Sequence, residues 1–434
     1  METTMANVYE SMTTEELDEQ IKGLEADVEE LRSRGLALDM ARGKPSPEQV
    51  DLARPMLDVL TSSSDLTDDG VDAANYGCPD GVPSARRLMA QILGVNPENL
   101  VLGGSSSLNI MHDAVLHGWV KGVAGCEPQC QQAARGTLRW LCPSPGYDRH
   151  FGVTANVGFE NVPVAMGPDG PDMDEVQRLV EGDPSVKGIW CVPKYSNPTG
   201  ITFSDEVVRR MAALKPAAPD FRIYWDNAYI VHELTDEPDE LLEVFGAVAE
   251  AGGDNLVYEF ASTSKVTFPG SGIAAVAASA ADIADLRAWF GVERVCSDKL
   301  AQLMHARWLP NADAVRTHMA EQAKVLRPRF DLVERKLAEG LGELGCATWS
   351  HPKGGYFVSF DGPEGSAKAI VALAADLGVK MTGAGATWPY GKDPRDTNIR
   401  IAPSYPTLDD LGAALDVFVA CVKLVSARLA RAAR

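Results

Sequence analysis

Apolar positions recur at helical spacing first over Leu17, Ile21, Leu24, Val28 and Leu31, a stripe that a helix gathers onto one side. The run opens at Thr13-Thr14-Glu15-Glu16, a capping-box spelling, and Gly35 supplies its stop. This predicts a docking helix. The segment Arg42-Gly43-Lys44-Pro45-Ser46-Pro47 that follows is too proline-rich for regular structure and predicts a loop crossing toward a site. From about residue 65 to 310 the pattern changes, and short apolar runs at 100–102, 138–142, 188–192, 222–225, 256–260 and 273–278 alternate with helical stretches. Alternation of this kind predicts an α/β domain, a mainly parallel sheet between helices. After a helix at about 312–345, residues 354–360 and 398–401 read as strands flanking a helix over 366–377, the pattern of a smaller α+β unit. The division expected is therefore 1–64 as an arm joining the small domain, 65–315 as the large domain and 316–434 as the small one. A Gly/Ala/Cys stretch at 122–136 reads as a flexible surface insertion without chemistry.

Composition narrows the classes. A chain of 434 residues, 45% hydrophobic and 23% charged, can bury a cofactor between two joined domains. The most apolar stretch, 273–286, is broken by Asp282 and Asp285, which argues against a membrane span. A net charge of −21 opposes binding to nucleic acid or anionic lipid. The acidic start carries no signal-peptide pattern, and the eight cysteines form no CxxC pair, so a cytoplasmic protein with reduced thiols is expected. Seven histidines without HExxH or Cys/His spacing argue against a metal.

Candidate chemistry sits at the ends of the predicted strands. Val101-Leu102-Gly103-Gly104-Ser105-Ser106-Ser107 reads as strand, glycine turn and helix start, where free amides and the helix dipole suit a phosphate. Asn197 projects from the turn Asn197-Pro198-Thr199-Gly200, and Asp226 closes the β-rich run Phe221–Trp225. Lys265 lies in Ser262-Thr263-Ser264-Lys265, just before a Pro/Gly bend. A lysine among polar groups and partly desolvated can be neutral enough to attack a carbonyl. Each of these is unremarkable alone. Together, Asn, Asp and Lys stand in order at strand ends, the side on which open α/β sheets bind ligands.

The set resembles the class I aminotransferases, pyridoxal-phosphate enzymes of the aspartate aminotransferase fold, over about residues 42–405. The spellings Gly-Gly-Ser-Ser-Ser at 103–107 and Ser-Thr-Ser-Lys at 262–265 are most similar to the MocR-like, subgroup Ic aspartate aminotransferases. The resemblance implies fold type I, with a mainly parallel seven-stranded-type sheet. It implies that Lys265 holds pyridoxal 5′-phosphate as a Schiff base and transfers the proton, and that Asp226 pairs the ring nitrogen. Asn197 and Tyr229 would contact the ring oxygen, Tyr147 would stack on the ring, and Ser105, Ser106, Ser107 and Ser262 would cradle the phosphate. Tyr76, in Asn75-Tyr76-Gly77, would reach the cofactor of a partner subunit, making a homodimer with shared sites. Arg400 would grip the substrate α-carboxylate, with Gly43 and Asn197 also at the substrate. The reaction implied moves an amino group from an amino acid, aspartate by subgroup likeness, to 2-oxoglutarate by a ping-pong mechanism.

Two departures stand out. The family's usual phosphate-binding arginine would fall at position 273, where this chain has Ile273. The cation for a substrate side-chain carboxylate is open between Lys44, Arg42 and Arg149. Rival readings are another amino donor or a lyase reaction on the same fold, and a MocR-type transcription regulator, which would need a basic DNA-binding region that the acidic first 64 residues do not supply.

Overall fold

The computed structural model describes residues 7–434. Its centre is an eight-stranded sheet in the spatial order 100–103, 274–277, 257–262, 222–226, 186–191, 139–144, 160–167 and 170–171. Strand 274–277 runs antiparallel to both neighbours and the two-residue edge strand 170–171 is antiparallel to 160–167. All other pairings are parallel. The sheet thus adds a short edge to the seven strands expected.

Strands covered by helices on both faces read as unbroken apolar runs, and Val186–Cys191 and Arg222–Asp226 are buried at every position. Strand Glu160–Gly167 escaped the pattern because it lies near the sheet edge, mixes exposed and buried positions and contains Pro163. The apolar stretch from 273 divides into strand Ala274–Ala277 and helix Ala280–Glu293, with Ser279 capping the helix at Asp282 N.

The docking helix spans Thr14–Ser33, with the full capping box between Thr13 and Glu16, and Gly35 follows it at φ 60°. Leu17, Leu24 and Val28 share a core with Leu411, Leu415 and Val422 of the C-terminal helix Leu408–Ala432. That helix, undetected in the sequence, is the partner the amphipathic stripe required. The smaller unit also holds the antiparallel strands 348–349, 358–361 and 398–401. One 30-residue helix, Ala312–Leu341, joins the two bodies. Its Val315 and Met319 pack with Leu88 and Val266 of the large domain, whereas Leu326 to Leu341 enter the core of the small one. The 122–136 stretch is docked on the large domain, because Gln129 and Gln132 both donate to Asp220, which also pairs with buried Lys187. Among the described residues no helix is long and apolar enough to cross a membrane.

Candidate active site

The parallel strands all end on one side, and a cavity of about 470 Å³ opens there between the two domains. Asn197, Asp226, Tyr229, Lys265, Tyr147, Ser106, Ser107, Gly43 and Arg400 all line it. Topology explains the convergence, since parallel strands deliver their C-terminal loops to one edge however far apart they are in sequence.

Asp226 ends its strand in register with Phe260, and it is buried. One carboxylate oxygen lies 3.0 Å from His150 Nε2 and the other has no hydrogen-bond partner. An unpartnered buried carboxylate oxygen carries a desolvation cost unless a cation or donor meets it. His150 itself is held flat against Trp190, with ring centroids 4.4 Å apart and planes 13° from parallel. Sequence reasoning missed His150. It lies in the helix after Tyr147, and no spacing links it to Asp226.

Lys265 occupies a single turn after strand Val257–Ser262. Burial pushes its amine below the usual lysine range, and the negative charge of Asp226 opposes that shift. Its Nζ lies 5.0 Å from the centre of the Tyr229 ring and 6.0 Å from that of Tyr356. Beside it, His232 is fully enclosed with neither ring nitrogen partnered. Burial, aided by the charge of Lys265, pulls that imidazole down to about 3, so it adds no positive charge at neutral pH. The Tyr147 phenol is pushed up to about 12 by burial and by the charge of Asp226, and burial likewise raises Tyr229. Both are neutral hydrogen-bonding phenols at physiological pH.

Arg400 comes from the small domain, on strand Asn398–Ile401. Its guanidinium reaches Asn197 Oδ1 at 3.2 Å, Asp148 Oδ1 at 3.3 Å and Thr382 Oγ1 at 3.3 Å, and rests 4.7 Å above the Phe357 ring. Nε is left without a partner. The cation is thus oriented by three oxygens and an aromatic face while remaining open to the cavity, the preparation a carboxylate site needs. Gly43 packs against the Phe357 ring so closely that an added Cβ would overlap the ring unless it shifted.

At the anion end, Ser106 caps helix Ser107–Lys121 through Leu108 N. Ser262 Oγ lies 2.8 Å from Ser264 Oγ. Ser264 lines the cavity, whereas Ser105 and Ser262 are not among its lining residues. A Cβ on Gly272 would come within 2.9 Å of Ser105 O and 3.0 Å of Ser264 backbone atoms, so the absent side chain lets the two serine loops close on each other. Ile273 is buried in the apolar cluster with Leu100 and Leu102, consistent with its being no phosphate ligand. Tyr76 is not among the lining residues of this cavity and is 82% exposed. All three candidate rim cations, Arg42, Lys44 and Arg149, are exposed and line the cavity, and Lys44 Nζ also sits 3.6 Å over the Tyr405 ring.

A buried amine, an acid with a free oxygen and a helix start open for an anion, facing an arginine across one cavity, is the donor set that a phosphorylated pyridine aldehyde requires. The family model of aspartate amino-transferase matches residues 12–433. The chain belongs to the aspartate aminotransferase family. Aspartate aminotransferase of Corynebacterium glutamicum is 41% identical over 97% of this chain and 98% of its own length. The crystal structure of an aspartate transaminase from the same species superimposes with a TM-score of 0.94 at 40% identity, covering 98% of this chain and all of that one. LysN, an α-aminoadipate aminotransferase of Thermus thermophilus, shares the fold at 20% identity, with a TM-score of 0.72 over 91% of this chain and 95% of its own. This family member is an aminotransferase, and its cofactor is pyridoxal phosphate.

Proposed function

We propose that this aminotransferase moves the amino group of aspartate to 2-oxoglutarate in ping-pong order, using Lys265, Asp226 and Arg400 as its working residues. The observation that carries the reading is the unpartnered oxygen of buried Asp226 in a cavity that also holds Lys265 and Arg400. Bound there, pyridoxal phosphate supplies an electron-accepting ring in conjugation with the substrate α-carbon. Asp226 keeps a positive charge at the ring nitrogen favourable, and His150 holds that carboxylate in place. Asn197 and Tyr229 would serve the ring oxygen, Tyr147 would face the ring, and Ser106, Ser107 and Ser264 would receive the phosphate, with Ser105 and Ser262 on the same two loops. Arg400 fixes the α-carboxylate and thereby the α-carbon, assisted by Asn197 and by the close approach that Gly43 permits.

Lys265 Nζ would take the proton from the substrate α-carbon, hold it as an ammonium, and return it across the amino nitrogen, two atoms away. Burial holds that amine below its ordinary range, the direction of shift that a general base requires. An amino donor leaves as its oxo acid before the second oxo acid enters, which defines the ping-pong order. The charge of Arg42, Lys44 or Arg149 at the rim supports a dicarboxylic substrate, as do the aspartate-specific names of the 40 to 41% identical relatives.

A homodimer is part of the reading. Tyr76 is presented outward, and exposed Val292 and Val295 flank Arg294, which approaches Leu102 O while Asp80 O binds Leu102 N. Eight free thiols support a reducing, cytoplasmic setting. The test is the visible spectrum of protein reconstituted with pyridoxal phosphate, before and after aspartate alone. Loss of the visible band with one equivalent of oxaloacetate per site supports the reading. A band that aspartate leaves unchanged with no product removes aspartate as donor, and a band that survives while ammonia or carbon dioxide is released over many turnovers replaces transamination by a lyase reaction.

A further inference from the structure

The backbone that carries Lys265 is held from outside the cavity by a buried polar clamp. Val266 N and Thr267 N both donate to Thr263 O at 2.9 Å, forming the one turn on which the lysine stands. Thr263 Oγ1 receives Ile273 N at 2.9 Å, and His305 Nε2 lies 3.1 Å from Thr263 Oγ1 and 2.7 Å from Thr267 Oγ1. Another polar group of the turn, Val266 O, accepts from two side chains of helix Ala312–Leu341: His318 Nε2 at 2.7 Å and Gln322 Nε2 at 3.3 Å. Gln322 reaches further. Its Nε2 also donates to Gln49 O at 3.1 Å, and its Oε1 accepts from Gln49 Nε2 at 2.9 Å, which in turn donates to Tyr356 OH at 3.0 Å. His318, Gln322 and Gln49 are all buried, and none of them lines the cavity.

We infer that His318 and Gln322 are positioning residues for Lys265, acting through the Val266 carbonyl and tying the lysine turn to the Gln49 segment behind the Gly43–Lys44 loop. Three observations support this. The clamp comes from a helix that packs into both domain cores, so it references the lysine to the body that also carries Arg400. Both donors converge on a single buried carbonyl, where an ordinary turn would have one partner or water. Burial also keeps the His318 imidazole neutral, so that it serves as a donor through one nitrogen without placing a second cation near the lysine. A general base must hold its nitrogen within a narrow range of the proton it abstracts, and small misplacements of such groups cost rate far more than binding.

The inference rests on the proposed role of Lys265, and its test separates the two. His318→Phe, Gln322→Met and His318→Gln are compared with the parent protein in two ways. In the cofactor-free protein, amide hydrogen exchange at residues 263–267 should accelerate about tenfold in the first two variants and recover in His318→Gln, which keeps a donor. After reconstitution with pyridoxal phosphate, kcat should fall about tenfold while KM for aspartate stays within about twofold, and the pH at which the visible band changes should shift. Should His318→Phe fail to fold, Gln322→Met decides alone, because it leaves the shorter bond in place. Folded variants with exchange and kcat both within twofold of the parent, or with KM rising in step with kcat falling, overturn the inference. A parent protein that shows no visible band with pyridoxal phosphate overturns the catalytic reading instead, while the exchange comparison still decides whether the clamp holds the turn.

Discussion

Replacing Asp226 by Asn tests the centre of the mechanism with little change of shape. The carboxylate is buried, one oxygen faces His150 Nε2 at 3.0 Å, and the other has no protein partner. The amide keeps a polar group toward His150 but removes the negative charge that the free oxygen offers to the ring nitrogen. Truncating one member of a buried charged pair costs about 2–5 kcal/mol. At 1.36 kcal/mol per tenfold change in rate, Asp226→Asn should lower kcat about 30- to 5,000-fold. Cofactor retention should be affected less, because the phosphate end and Lys265 are untouched. The assay is steady-state turnover with aspartate and 2-oxoglutarate, alongside bound pyridoxal phosphate measured by absorbance after gel filtration. A variant that retains cofactor and turns over within fivefold of the parent would refute the argument. The His150→Phe variant should lose part of the same energy, and the double variant should fall well short of the summed losses, because the two residues act as one unit.

Three other perturbations follow from particular contacts. Arg400→Lys keeps the charge but loses the planar fork held by Asn197, Asp148 and Thr382, and kcat/KM for aspartate should drop about 10- to 100-fold, with KM rising. Gly272→Ala would press its Cβ against Ser105 O and Ser264 backbone atoms, so pyridoxal phosphate affinity, read by fluorescence titration, should weaken at least tenfold; unchanged affinity would remove the serine cradle from the account. Glu259, fully buried and hydrogen-bonded by Asn227 Nδ2, has its carboxyl raised to about 8 by burial. The folded protein therefore binds a proton that the unfolded chain releases above about pH 4.5, and stability falls as pH rises from there to about 8. Glu259→Gln removes that dependence and should gain up to about 3 kcal/mol at pH 7 in urea unfolding of the cofactor-free protein, with the gain vanishing near pH 4.5.

Much of the architecture was legible along the chain because the governing signals are local. The capping box at Thr13, the helical stripe that follows it and the φ 60° glycine at 35 act within a few residues. Strands buried on both faces announce themselves as apolar runs, so most of the central sheet could be placed within a residue or two. Strand 160–167 and the docked 122–136 segment could not, since a strand next to the sheet edge need not be continuously apolar and the anchor of the insertion is Asp220, far along the sequence. The chemical residues were legible for a related reason. That Asn197, Asp226 and Lys265, in order at predicted strand ends, would meet follows from the rule that parallel strands open their loops to one side, and their roles were implied by the family resemblance.

The tertiary structure decided what depends on distance between elements. It set His150 under Asp226 on the face of Trp190, brought Arg400 across from the small domain to Asn197, and closed the turn of Lys265 with His305, His318 and Gln322. None of these has a periodic or short-range signature, because side-chain partners far apart in sequence are chosen by how packed layers meet. Local sequence determined which residue types stand at the strand ends; the packing of the two domains on a shared helix determined which of them touch, how far burial shifts their protons, and therefore what chemistry they can perform.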